Sequence, residues 1–255
     1  MARYQLILAY DGTDFFGFQR QGNTRTVQQV VEKALSGLGW QEDTILFAGR
    51  TDSGVHADGQ VISFSLDWQH DDADLVNALN AQLPADAAVR DITQVKADFH
   101  RRYDATSRSY VYCIYQLPNR NPLLERYGWR VWPPLDADKL ADAARIFIGR
   151  YDFSAFGRPM KPGSSTIREI VESRWMETPG GWEYHVTANA FLYHMVRRLV
   201  YVQLEAARGN ISLEDLAGGL QTGRKLKPGL APANGLRLDK VSFGLKSQGL
   251  DDEEN

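Results

Sequence analysis

Apolar residues in this chain change period in a fixed order, and the order occurs twice. Tyr4-Gln5-Leu6-Ile7-Leu8-Ala9-Tyr10 reads as a strand. Val27, Val30, Val31, Ala34 and Leu35 then recur at helical spacing behind Thr26, a residue suited to an N-cap, and the run ends near Gly37. Short strand-like runs follow at 44–47 and 61–66. A second helical pattern passes through Leu75, Ala78 and Leu79, with Asp74 placed to cap it, and a strand lies near 89–95. The second half repeats the order: a strand over 109–117, a helix over 136–148, and a hairpin of 169–176 and 182–187 about Pro179-Gly180-Gly181. A helix over 191–207, a shorter one near 213–220 and a closing strand at 240–243 complete it. Strand–helix–strand–strand–helix–strand is the split order of ferredoxin-like domains. The expectation is an α+β protein of two ferredoxin-like (βαββαβ) halves. Together they make a broad antiparallel sheet, with helices on one face and a central cleft where a site would lie. The halves span residues 1–105 and 106–246, joined near 104–106. An acidic stretch of 247–255 is expected to be a disordered tail.

With 255 residues the chain is long enough for such a core. No apolar run approaches a membrane span, so no membrane partner is expected. Met1-Ala2-Arg3-Tyr4 enters a strand pattern at once, without the pattern of a signal peptide. Cys113 is the only cysteine, which excludes an internal disulfide and suits a reducing cytoplasm. It alternates with Tyr112 and Ile114 in a strand-like run and reads as a core residue. No His, Cys and carboxylate set stands at metal-ligand spacing, so no metal is expected; His56 and His194 read as hydrogen-bonding residues. The formal charge is −3, but its distribution says more than its total. Taking the four acids Asp251, Asp252, Glu253 and Glu254 from the total of 32 leaves 28, against 29 basic residues. Basic residues also cluster: Arg101, Arg102 and Arg108; Arg197 and Arg198; Arg224, Lys225 and Lys227. Such clusters can build a phosphate-binding face on a nearly neutral protein.

The stretch richest in chemistry is Gly49-Arg50-Thr51-Asp52-Ser53-Gly54-Val55-His56-Ala57-Asp58-Gly59-Gln60. It sets one carboxylate among an arginine, two hydroxyl residues and glycines, directly before the strand-like run at Val61. Glycines permit a sharp turn and close approach of a bulky ligand. A carboxylate beside a cation stays ionised, as a nucleophile or general base must. Asp and Ser near Gly also make ordinary turns.

The whole string resembles the catalytic signature of the tRNA pseudouridine synthase A family. Four further stretches resemble that family in its order and at its separations. They are Tyr10-Asp11-Gly12-Thr13 through Gly17-Phe18-Gln19; Phe99-His100 through Tyr110; Phe191-Leu192-Tyr193-His194-Met195-Val196-Arg197; and Ala231-Pro232 through Gly235-Leu236. The resemblance runs from about Tyr4 to Phe243. It implies a cofactor-free isomerase that converts uridine to pseudouridine at positions 38, 39 and 40 of the tRNA anticodon arm, working as a cytoplasmic homodimer. It makes Asp52 the catalytic aspartate. Attack at C1′ of the ribose, attack at C6 of the base and proton abstraction all remain open as its role. Arg50 matches the arginine linked to turning the target nucleotide out of the stem. Tyr110 matches the active-site tyrosine, a ring able to stack on the extruded base. Arg197 matches the basic residue that keeps the aspartate charged, and Pro232 and Leu236 would line the base pocket. On the helix, His194, Arg197, Arg198 and Tyr201 make one polar stripe, with Arg198 turned toward RNA or solvent. The candidates for phosphate contact are Arg20, Arg101, Arg102, Arg108, Arg198, Arg224, Lys225 and Lys227. Ser53 departs from the family, where alanine is common; a small residue fits the same turn.

Two other functions fit parts of the pattern. A non-catalytic RNA-binding module would use the same sheet with surface aromatics, but leaves the Asp52 string without a purpose. A glycosidase would pair Asp52 with a second acid such as Asp58, and leaves the arginine clusters without one.

Overall fold

The computed structural model describes residues 1–95 and 105–243. The chain divides into two compact units: Met1–Ser107 with the chain from Leu238, and Arg108–Arg237.

In the first unit, β1 (Ala2–Tyr10) alternates as a half-buried strand must. Tyr4, Leu6, Leu8 and Tyr10 are buried, and the residues between them are half-exposed. β3 (His56–Leu66) and β4 (Ala87–Val95) flank β1, both antiparallel to it, and β2 (Leu46–Phe47) pairs with β3. Two helices cross between the strands. α1 (Val27–Ser36) buries Val27, Val31, Ala34 and Leu35, a stripe that contributes about 1.5–3 kcal/mol per large aliphatic side chain. Thr26 holds the N-cap position, but its hydroxyl makes no capping bond. α2 (Asp72–Gln82) begins two residues before the cap expected at Asp74. Asp71 is the cap, and its carboxylate accepts the Asp74 N–H at 2.7 Å. The split βαβ order is thus present in this unit.

In the second unit, β5 (Ala105–Tyr115), β9 (Gly181–Ala188), β8 (Ile167–Thr178) and β7 (Gly149–Asp152) lie side by side, antiparallel in turn. β6 (Trp129–Arg130) runs parallel beside β5 after a short helix, α3 (Pro122–Glu125). α4 (Ala137–Arg145) is capped by Asp136, and its Leu140, Ala143 and Ala144 are buried near Phe147, Phe153 and Phe156, whose rings meet edge to face. The β8–β9 hairpin turns through Pro179-Gly180 as expected, with Gly180 at φ 87°. α5 (Met195–Ala207) and α6 (Leu213–Thr222) follow, the latter behind a capping box of Ser212 and Asp215.

The architecture is α+β with mostly antiparallel strands. Several details differ from expectation. α3, β6 and β7 are added elements. The helix expected from Phe191 begins at Met195, because Tyr193 bridges back to Arg158 and His194 adopts a left-handed φ of 64°. And the closing strand β10 (Leu236–Phe243) belongs, from Leu238 on, with the first unit beside β3, where the Ser242 carbonyl accepts the Thr106 hydroxyl at 3.2 Å. The expected halves had kept it in 106–246. The stretch 247–255 lies outside the described residues. Among the described residues no helix is long and apolar enough to cross a membrane.

Candidate active site

Asp52 sits in a turn that the neighbouring chain fastens on both sides. The Val55 N–H donates to the Asp52 carbonyl at 3.2 Å, and Gly54 takes φ 77°, the left-handed conformation such a turn needs at its third residue. The segment after β1 wraps this turn. The Tyr10 hydroxyl and Thr51 Oγ1 share a buried 2.7 Å hydrogen bond. The Phe18 N–H donates to the Thr51 carbonyl at 3.1 Å. The Gly54 N–H and Ser53 Oγ both donate to the Phe15 carbonyl, at 3.3 and 3.2 Å. At the far end, His56 Nδ1 accepts the Gly12 N–H at 3.0 Å and stands 3.1 Å from an Asp11 carboxylate oxygen. Before the turn, Gln60 Nε2 donates to the Gly49 carbonyl at 2.7 Å.

The approach leaves no space for a side chain at Gly12 or Gly17 of the wrapping segment. At Gly17, itself at φ 84°, a Cβ would lie 3.0 Å from the Thr51 carbonyl, and at Gly12 it would collide with the Val55 carbonyl. Thr51, Val55 and His56 are buried, Asp52 is half-buried, and Arg50 and Ser53 are exposed. The expected hydrogen-bonding role of His56 is present. The role of Tyr10, Asp11 and Gly12 was not legible: the sequence marks them as a motif but does not say that they grip a turn some forty residues away.

The other site candidates lie in the second unit. Arg197, on the first turn of α5, is locked to Ala231 twice: its Nε donates to the Ala231 carbonyl at 2.7 Å, and its own carbonyl accepts the Ala231 N–H at 3.2 Å. The next residue, Pro232, has its carbonyl held by the Tyr112 hydroxyl at 2.9 Å. Arg197, Ala231, Pro232 and Tyr112 therefore form one assembly, and Leu236, buried, follows at the start of β10. Burial pushes the Tyr112 hydroxyl well above the ordinary tyrosine value, and the nearby charge of Arg197 works against that rise. Tyr110 is buried too, its ring edge-on to Phe191 at 5.1 Å.

Arg198 does not face RNA or solvent as expected. It is buried, Nη1 donates to the Gly229 carbonyl at 2.9 Å, and the guanidinium lies 5.6 Å from the Tyr201 ring; burial lowers its pKa. A long side chain can bend away from the direction set by its Cα, so neighbours about 100° apart on a helix both reach the 229–231 segment.

Among the described residues the remaining basic candidates are at the surface, most with acidic or carbonyl partners. Arg20 pairs with Glu32 at 3.1 Å, Arg108 donates to the Asn189 carbonyl at 3.0 Å, Arg224 pairs with Asp215, and Lys227 pairs with Glu205 at 2.9 Å. Lys225 is exposed. Arg101 and Arg102 lie outside the described residues. Cys113 is half-buried, on the strand face opposite Tyr112 and Ile114, rather than in the core. Its thiol donates to Glu183 at 3.5 Å, and burial pushes its pKa up to about 11, so it stays protonated at neutral pH. Among the described residues no three His, Cys, Asp or Glu side chains gather as metal ligands.

The chain matches the family described as tRNA pseudouridine synthase over residues 6–104 and 143–244. It is 37% identical over 249 residues to the tRNA pseudouridine synthase A of Limosilactobacillus fermentum, covering 95% of this chain and 96% of that protein. It is 38% identical over 245 residues to the protein of the same name from Syntrophotalea carbinolica, covering 95% and 97%. Among solved structures, a crystal structure of a Cbf5-Nop10-Gar1 complex aligns with a TM-score of 0.38 at 14% identity; the alignment covers 92% of this chain and about half, 48%, of that one.

Proposed function

The chain belongs to the tRNA pseudouridine synthase family, and from that premise we propose that it isomerises uridines 38, 39 and 40 of the tRNA anticodon arm, with Asp52 as the catalytic carboxylate. The family converts uridine to pseudouridine in tRNA. Uracil leaves C1′ through N1 and rejoins through C5; C5 loses a proton and N1 gains one. Atoms balance without a co-reactant, so the protein's task is to hold a detached base and supply one well-placed carboxylate. The observation that carries the assignment is the turn at Asp52, gripped by residues 10–18 within a string of the family's catalytic type.

Arg50 is the proposed displacer of the target nucleotide, and Tyr110 the ring against the base. Arg197 keeps the carboxylate charged, and Pro232 with Leu236 forms the apolar wall of the base pocket. Arg20, Arg101, Arg102, Arg108, Arg224, Lys225 and Lys227 are the proposed phosphate contacts, so that the RNA is recognised by shape and backbone. The enzyme acts in the cytoplasm as a homodimer, without metal or cofactor. Incubation with unmodified tRNA, followed by mapping of pseudouridine, tests this reading. Product at 38–40 is the expected result; product elsewhere refutes the position, and none refutes the activity. Family membership leaves no room for the RNA-module and glycosidase alternatives.

A further inference from the structure

One buried polar pair in the first unit ties the end of β1 to the residue before Asp52. The Tyr10 ring closes β1 between Phe15 and Phe18, with centroids 6.3 Å away on each side, and its packing would be the same for phenylalanine. Its hydroxyl nevertheless reaches Thr51 Oγ1 at 2.7 Å, a buried bond between residues 41 apart in sequence and one residue from Asp52. Replacing both members of such a pair by apolar groups of the same shape is nearly neutral for stability. What the bond does fix is direction. With the Thr51 carbonyl held by the Phe18 N–H, the hydroxyl contact gives Thr51 a second anchor, on the end of β1, so the residue directly before Asp52 is tied at both its backbone and its side chain. Displacements of about 1 Å in a reacting group can cost about a hundredfold in rate.

We infer that Tyr10 and Thr51 are positioning residues, whose hydrogen bond aims the Asp52 carboxylate at the target uridine. The inference rests on the reading of Asp52 as the catalytic group. It predicts a separation of rate from stability that a structural pair would not give.

The test uses the full chain with Tyr10→Phe, Thr51→Val, the double variant and Thr51→Ser. Melting temperature, tRNA affinity and single-turnover rate at saturating enzyme are measured for each. The double variant should melt close to wild type and bind tRNA with affinity within about twofold, yet react about tenfold or more slowly, no worse than the slower single variant because both remove the same bond. Thr51→Ser, which keeps the hydroxyl, should retain most of the rate. A double variant that is stable and as fast as wild type overturns the inference, as does Thr51→Ser being as slow as Thr51→Val. Rates that merely track melting temperature overturn it too. Wild-type protein that forms no pseudouridine overturns the catalytic reading of Asp52 and this inference with it; a competent wild type beside an equally competent double variant overturns the inference alone.

Discussion

Arg197 and Arg198 are neighbours with different work. The Arg198 guanidinium is buried and holds the Gly229 carbonyl, so its removal leaves an acceptor without its donor. Arg198→Ala should therefore lower stability, by about 2 kcal/mol, the usual scale for a buried hydrogen bond to a charged group. Arg197 is half-buried and fixed to Ala231 through Nε. If it supports an ionised Asp52, Arg197→Ala should lower the single-turnover rate on the order of tenfold to a hundredfold, with a smaller effect on tRNA affinity. Thermal melts and single-turnover assays of the two variants separate these effects; a reversed order would contradict the assignment. The turn at Asp52 is legible in sequence because glycine and small polar residues mark it. Directions are not. Helical geometry gives the bearing of a Cα–Cβ bond but not the path of a guanidinium four atoms further on, which is how Arg198 came to be expected at the surface.

On the scale of elements, α5 is held at both ends by polar contacts. Near its C-terminus Glu205 collects Lys227 at 2.9 Å, Arg208 at 3.2 Å and Asn210 at 3.2 Å. Burial alone would push the Glu205 pKa up, but the bonds from Lys227, Arg208 and Asn210 outweigh it, and the net shift is down from 4.5. A carboxylate with a depressed folded-state pKa contributes its full stabilisation above the unfolded value and loses it as pH falls through the folded value. Glu205→Gln should thus melt lower than wild type at pH 7, by about 1 kcal/mol, and the difference should close on acidification below pH 4.5. A gap independent of pH would assign the effect to packing. Element types were legible wherever a period was sustained: β1, α1 and the β8–β9 hairpin lie where alternation and turn residues put them. Edges were not. β3 runs back to His56 past Asp58 and Gly59, residues with little strand preference that fall at a bulge between the Leu8–Gln60 and Tyr10–Ala57 pairs, because pairing with β1 resumes at Ala57. β7 carries no alternation in Gly149-Arg150-Tyr151-Asp152 and exists by pairing with β8.

For the whole molecule, the net charge of −3 is a balance of 29 basic against 32 acidic residues, and the proposed recognition rests on where the cations stand. Binding of tRNA should weaken steeply with salt. Lys225→Ala should reduce the log–log slope by about one, the signature of a single lost phosphate contact. Arg224→Ala and Lys227→Ala should change it less, since Asp215 and Glu205 compete for those cations. A flat salt titration of the wild type would contradict recognition through phosphates. The central claim is that Asp52 performs the chemistry while other residues bind the RNA. Asp52→Asn tests it most directly, since the substitution removes charge but little volume. With prefolded, unmodified tRNA, pseudouridine formation should fall by about a thousandfold or more while tRNA affinity and melting temperature stay near wild type. A variant that keeps a rate within about tenfold of wild type would contradict the account.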